Sequence, residues 1–181
     1  RPGYPEELFD DLVELAELAP GTRILEIGPG TGKATEPLAR RGFGIHGIEL
    51  GPSLAAEARR NLATFPNVRI DVGAFETFPI EPASYDLFMS ATAFHWIEQP
   101  LGYQRVAEAL KPGGHFAEFR HHHVWSPEWD PFFRESQELY LKYMPGTPPD
   151  FRLPLPDEVA TLEREIIASG MFELPKVRRY I

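Results

Sequence analysis

Residues 24–32 read Ile24-Leu25-Glu26-Ile27-Gly28-Pro29-Gly30-Thr31-Gly32: a short apolar run, an acid near its end, then glycine at alternate positions. An apolar run without strict alternation fits a strand buried on both faces of a parallel sheet. The glycines let the chain turn sharply and let a ligand touch backbone where a Cβ would intrude. A dinucleotide fingerprint needs its third glycine at position 33, which is Lys33, and the lysine–serine/threonine pair of a P-loop is absent. Glu26 aims an anion at this loop. It would repel a pyrophosphate and suit an ammonium or a sulfonium, as an acidic chain suits a cationic ligand.

Working outward, Pro5 opens a helix with Leu8, Leu12, Leu15 and Ala19 at helical spacing, and Pro20-Gly21 stops it. Strands are expected at Arg23–Gly28, Gly44–Glu49, Val68–Val72, Tyr85–Ser90 and His115–Phe119, with helices at Thr35–Arg41, Pro52–Thr64 and Leu101–Leu110. Strand and helix in alternation predict an α/β fold: a doubly wound, mostly parallel sheet with right-handed crossovers and helices on both faces. Glu49 closes the second strand, 21 residues after Gly28, where an acid can hold both ribose hydroxyls of a nucleoside.

After Arg120 the character changes. Helices are expected near Pro131–Tyr143 and Asp157–Ser169, separated by Pro145–Pro156, which carries five prolines and reads as a stiff irregular connection. Lys176–Ile181 reads as the start of a sixth strand. The expected organisation is a core over 1–120, a helical cap over 121–170 between strands five and six, and the beginning of the terminal strands at 171–181.

Composition narrows the function. The 181 residues suit roughly one domain with a core of its own. Absence of cysteine excludes disulfides, thiolate metal sites and a cysteine nucleophile. Eighteen basic against 27 acidic residues, net −9, argue against a nucleic-acid partner. No apolar run approaches the ~20 residues that span a bilayer, so no membrane partner and a cytoplasmic location are expected.

The pattern Glu26-x-Gly28-x-Gly30-x-Gly32, with an acid ending the second strand, resembles the class I (Rossmann-like) S-adenosylmethionine-dependent methyltransferases over residues 1–119. Three stretches are similar to the trans-aconitate-methyltransferase-like branch, within the type 11 methyltransferases: Arg1-Pro2-Gly3-Tyr4-Pro5, Phe75-Glu76, and Ser90-Ala91-Thr92-Ala93-Phe94-His95-Trp96-Ile97. Leu110-Lys111-Pro112-Gly113-Gly114 is similar to the approach to strand five across the class. The resemblance implies S-adenosylmethionine as cofactor. Gly28, Gly30, Thr31 and Gly32 would approach its methionine part near Glu26, while Glu49 would take the ribose. Leu50, Ala74 and Phe75 would flank the adenine, Ser90 and Ala91 would line the floor near the sulfonium, and Tyr4 would close the pocket. Many class members carry an aspartate at the position of Ala74; with Ala74 here that contact is either lost or made by backbone groups around Phe75. A seven-stranded family sheet further implies that this chain lacks a short N-terminal piece and several tens of C-terminal residues.

His95 and Trp96 follow the fourth strand, at the edge where open α/β sheets bind ligands, and are expected to line the acceptor pocket, with His95 as catalytic candidate. Alternating side chains let only His121 and His123 of the histidine triplet converge, with no carboxylate at ligand spacing; they read as pocket wall or surface, and no metal is expected. Arg120, Arg134 and Arg152 read as solvated surface, with pairing to an acidic substrate as the alternative. The aromatic series Trp125, Trp129, Phe132, Phe133, Tyr140 and Tyr143 reads as packing of the cap. The expected function is methyl transfer from the sulfonium to a small molecule, at a carboxylate or hydroxyl oxygen. A non-catalytic methyltransferase-like binding subunit and a nicotinamide-dependent oxidoreductase remain the alternatives, and the oligomeric state is left open.

Overall fold

The computed structural model describes residues 3–126, 130–144, 146, 148 and 153–180. Elements follow in the order α1 (Glu6–Leu15), β1 (Arg23–Ile27), α2 (Thr35–Arg40), β2 (Gly44–Glu49), α3 (Pro52–Asn61), β3 (Val68–Val72), β4 (Tyr85–Ala91), α4 (Leu101–Ala109), β5 (Leu110–Phe119), α5 (Asp130–Tyr143) and α6 (Glu163–Ala168). A single 3-10 turn, Phe94–Trp96, lies between β4 and α4. The chain divides into two units, Arg1–Arg120 with Glu163–Ile181, and His121–Leu162.

In the first unit, five strands form one parallel sheet in the order β3-β2-β1-β4-β5. Alternation sorts side chains to the two faces. Ile24, Leu38, Ile45, Leu87 and Met89 pack with Leu8 and Phe9 of α1 on one face. Leu25, Ile27, Ile48 and Phe88 pack with Phe94, Tyr103 and Val106 on the other. Ala55 and Ala58 of α3, with Leu62 at its C-cap, cover Ile70 of β3. Three of the helix starts share a cause: proline pre-sets the first-turn φ and has no N–H to orphan. Pro5 and Pro100 are the N-caps of α1 and α4, and Pro52 opens α3.

The chain reverses direction of winding between β1 and β4, so the crevice at the carboxyl end of these strands is the ligand site that a doubly wound sheet offers. Ser90, 0% exposed, donates its hydroxyl to the Ile27 carbonyl at 3.2 Å and fastens the two strands there.

Among the boundaries that differ from the sequence reading, four have a visible cause. β1 ends at Ile27, because Gly28 already has φ +66°. β5 begins at Leu110 rather than His115: Leu110 pairs with Tyr85 and His115 with Leu87, so residues 111–114 leave the ladder opposite Asp86. The helix expected at Asp157–Ser169 is confined to Glu163–Ala168. Glu158 turns its carboxylate back to the Leu155 N–H at 2.8 Å while its own N–H reaches the Leu155 carbonyl, closing a separate turn before the helix. Finally, residues 176–180 join no ladder. Tyr180 instead packs against the α1 face and its hydroxyl donates to Asp11 at 2.5 Å, which holds the segment by side chain rather than by strand pairing.

In the second unit, α5 presents Phe132, Leu139 and Tyr143 as exposed side chains, and the Trp125 N–H donates to the Pro154 carbonyl. Trp129 and Arg152 lie outside the described residues. No described helix is long and apolar enough to cross a membrane.

Candidate cofactor site

The loop after β1 is built from three left-handed glycines with φ of +66°, +60° and +90° at Gly28, Gly30 and Gly32. They are not equivalent. A Cβ on Gly28 would stand 2.5 Å from the Ala93 Cβ, and one on Gly32 2.8 Å from Leu62 Cδ1. A Cβ on Gly30 would meet nothing within 4 Å. Two glycines therefore serve packing, and the middle one faces open space where a ligand can touch backbone. Asn61 of α3 donates to the Thr31 carbonyl at 3.0 Å and steadies the loop from outside. The Gly28 N–H is tied to the Ile48 carbonyl at 2.9 Å.

Two acids frame this loop. Glu49, at the end of β2, accepts the Gly30 N–H on Oε2 at 2.9 Å and the Gly51 N–H on Oε1 at 2.8 Å. A carboxylate has about four lone-pair sites, so two bonds leave each oxygen able to accept once more. Glu26 is fully buried. Thr35 at the start of α2 donates to its Oε2 at 2.7 Å, and its Oε1 has no hydrogen-bond partner among the described residues. Burial pushes the Glu26 carboxyl up to about 7, and the charge of Glu49 adds to the rise, while the Thr35 hydroxyl opposes it.

Around the crevice, Leu50 follows Glu49 with 70% of its surface exposed, an apolar face beside the ribose-type acid. The turn after β3 is held by the Gly73 N–H on the Glu49 carbonyl at 3.0 Å. Ala74 is half-buried and accepts the Thr77 and Phe78 N–H groups on its carbonyl. The Phe75 ring is buried in the core against Phe88, 5.4 Å between centroids, so Phe75 reaches the crevice side by backbone and not by ring. Arg105 of α4 donates to the carbonyls of Phe75 and Phe78. Nothing in the sequence pattern marks Arg105 or Asn61, because both act through backbone carbonyls of distant segments.

At the end of β4, Ala91 is half-buried, and the Tyr4 hydroxyl lies 3.1 Å from Thr92 Oγ1 with its ring edge-on to Phe119. The next turn buries Phe94 and exposes the two residues after it: Trp96 is 80% exposed, and its ring stands 4.8 Å from that of the exposed His95. Ser90, by contrast, has its hydroxyl engaged within the sheet, and what it offers a ligand is shape. His121 and His123 are exposed residues of the second unit, in a stretch without regular structure. No group of three or more His, Asp or Glu side chains among the described residues could hold a metal. Arg120 is paired with Glu118 at 2.6 Å, and Arg134 lies on α5.

A doubly wound parallel sheet, a glycine turn at its switch point and an acid ending β2 define a nucleoside-cofactor domain. The chain belongs to the methyltransferase domain family, whose pattern it matches over residues 24–114, half of its length. An uncharacterized methyltransferase of Mycobacterium tuberculosis is 30% identical over 166 residues, 91% of this chain and 63% of the relative. The tRNA (adenine(58)-N(1))-methyltransferase of Thermus thermophilus is 36% identical over 118 residues, 61% of this chain and 44% of that protein. Among solved structures, phosphoethanolamine N-methyltransferase 2 of Haemonchus contortus shares the fold with a TM-score of 0.63 at 21% identity, over 93% of this chain and 37% of that one. The chain thus spans less than two thirds of these relatives. S-adenosylmethionine is the family's cofactor, and the residues here fit it: a buried acid oxygen without a donor suits its ammonium, and Gly30 leaves room for its chain.

Proposed function

We propose that this protein is an S-adenosylmethionine-dependent methyltransferase acting on a small molecule at a carboxylate or hydroxyl oxygen. The observation that carries the reading is the Glu49–Gly30 bond across the crevice, with Gly30 open to a ligand and Glu26 Oε1 lacking a donor beneath it. The bound cofactor would supply an electrophilic methyl carbon with a neutral thioether as its leaving group.

The chain's own work is binding and alignment, the main source of rate in such a displacement. Glu26 would neutralise the cofactor's ammonium in a site that excludes water. Glu49 would accept from the ribose hydroxyls on the lone pairs that the two amides leave. Leu50 and the backbone of Ala74 and Phe75 would take the adenine. Ala91 and the buried Ser90 would shape the floor, with Tyr4 as the neighbouring wall. His95 and Trp96 would face the acceptor. A base is needed only for an acceptor that must lose a proton, and His95 is the residue placed to serve. The tRNA methyltransferase among the relatives raises RNA as an acceptor; the net charge of −9 opposes it.

Calorimetry with S-adenosylhomocysteine tests the cofactor, and methyl transfer to small acids, alcohols and unmodified tRNA tests the acceptor. Binding of the nucleoside and transfer to a small oxygen acceptor are expected. No binding would remove the enzyme reading in favour of another ligand, binding without any transfer would favour a non-catalytic subunit, and transfer to tRNA alone would overturn the small-molecule assignment.

A further inference from the structure

We propose that Arg105 is a positioning residue for adenine: it braces the turn after β3 so that the turn's backbone, rather than a side chain, discriminates the base. The inference rests on the cofactor reading above and extends it to the specificity of the adenine end. Ala74 has no hydrogen-bonding side chain, so at that position a base meets main chain. That main chain is rigid for a visible reason. Arg105 Nε donates to the Phe75 carbonyl at 2.8 Å, Nη2 donates to the Phe78 carbonyl, and the guanidinium carbon stands 5.4 Å from the centre of the Phe75 ring.

One planar, permanently charged fork thus holds two carbonyls three residues apart and stacks on the ring between them. The Ala74 carbonyl is engaged by Thr77 and Phe78, and Gly73 is tied to the end of β2. The N–H groups of Ala74, Phe75 and Glu76 make no hydrogen bond among the described residues and are the donors that the turn can offer a base. Donors select a base whose ring nitrogen accepts, as adenine N1 does, against one whose ring nitrogen carries a proton, as in hypoxanthine. A site built to read a hydrogen bond rejects the mismatched base through an unpaired polar group, and it does so only while its own donors cannot swing away. Arg105 comes from α4, whose other face packs on β4 and β5, so the brace transmits the rigidity of the sheet to the turn.

The test compares binding of S-adenosylhomocysteine and S-inosylhomocysteine to the full chain by calorimetry, for wild type, Arg105→Met and Arg105→Lys. Wild type should favour the adenine compound by about tenfold or more, on the scale of one buried hydrogen bond. Arg105→Met should lose at least half of that preference on a logarithmic scale, and its amides at 74–78 should exchange hydrogen faster. Arg105→Lys, which keeps charge without the fork, should recover part of both. An unchanged preference in Arg105→Met overturns the inference, as does an unchanged preference in Arg105→Lys should the methionine variant not fold. Failure of wild type to bind S-adenosylhomocysteine at all is the separate outcome that overturns the cofactor reading, and this inference with it.

Discussion

Glu49 and Gly30 meet across the switch point of the sheet: the last side chain of β2 accepts, at 2.9 Å, the amide of the middle glycine in the loop after β1. The same carboxylate takes the Gly51 amide at 2.8 Å, so one buried acid joins the glycine loop to the start of α3. Glu49→Ala strands two amides and should cost about 2–3 kcal/mol, the range for hydrogen bonds to a charged acceptor. It should also weaken S-adenosylhomocysteine binding more than tenfold. Glu49→Gln keeps one acceptor and should fall between, by urea unfolding and calorimetry.

The three glycines should separate stability from binding. Gly28→Ala drives a Cβ into Ala93 in a left-handed conformation and should cost about 2–5 kcal/mol, the sum of overpacking and backbone strain. Gly30→Ala meets open space, so only the strain of about 1–2 kcal/mol remains. Its effect on cofactor binding should nonetheless be the larger of the two per unit of lost stability. Equal losses of binding in both variants would contradict the distinction.

Glu26 should make stability depend on pH in the direction opposite to a salt-bridged acid. Its carboxyl is raised from 4.5 to about 7 by burial, so the folded state holds the proton more tightly than the unfolded chain. Below pH 4.5 both states are protonated and the group contributes no penalty. Between 4.5 and 7 the unfolded chain ionises first and stability falls; above 7 the full penalty of about 3 kcal/mol is present. Glu26→Gln should therefore match wild type near pH 4 and exceed it at pH 8, by urea unfolding at the two values. A ligand ammonium would favour the carboxylate, so cofactor affinity in wild type should rise with pH through 7, and that rise should vanish in the glutamine variant.

His95 and Trp96 are exposed, and replacing either by alanine should change stability by less than about 0.5 kcal/mol. Loss of methyl transfer with unchanged S-adenosylhomocysteine binding is the expected signature of residues that face the acceptor. An unaltered rate in both variants would place them outside the site.

The elements that sequence made legible are those whose cause is local. Pro5 and Pro52 mark helix starts because a fixed φ acts on the residue itself, and the run Tyr85–Ser90 reads as a strand because both of its faces meet core. The acid-glycine spacing from Glu26 to Gly32 likewise announces its turn. Partnership was not legible. Ser90 could be placed on β4, but not that its hydroxyl goes to Ile27; Phe75 could be placed after β3, but not that its ring turns inward to Phe88. Arg105 and Asn61 carry no pattern at all, since what they bind is backbone 27 to 30 residues away. The segment 176–180 has the residue types of a strand, yet a strand exists only through a neighbour, and Tyr180 found Asp11 instead.

The four residues 111–114 that leave the β5 ladder opposite Asp86 act as an expansion joint. Asp86 lies on β4 beside the gap and ties both neighbouring strands, accepting from Lys111 Nζ of β5 at 2.7 Å and from the Arg23 N–H of β1 at 2.8 Å. Above it the pairing resumes in step, Leu87 with His115 through Ala91 with Phe119. A change of length within the Pro-Gly-Gly stretch would fall where the ladder is already interrupted, at the amino end of the sheet, five paired residues short of the alignment of Ala91 with Phe119 at the end that holds the crevice.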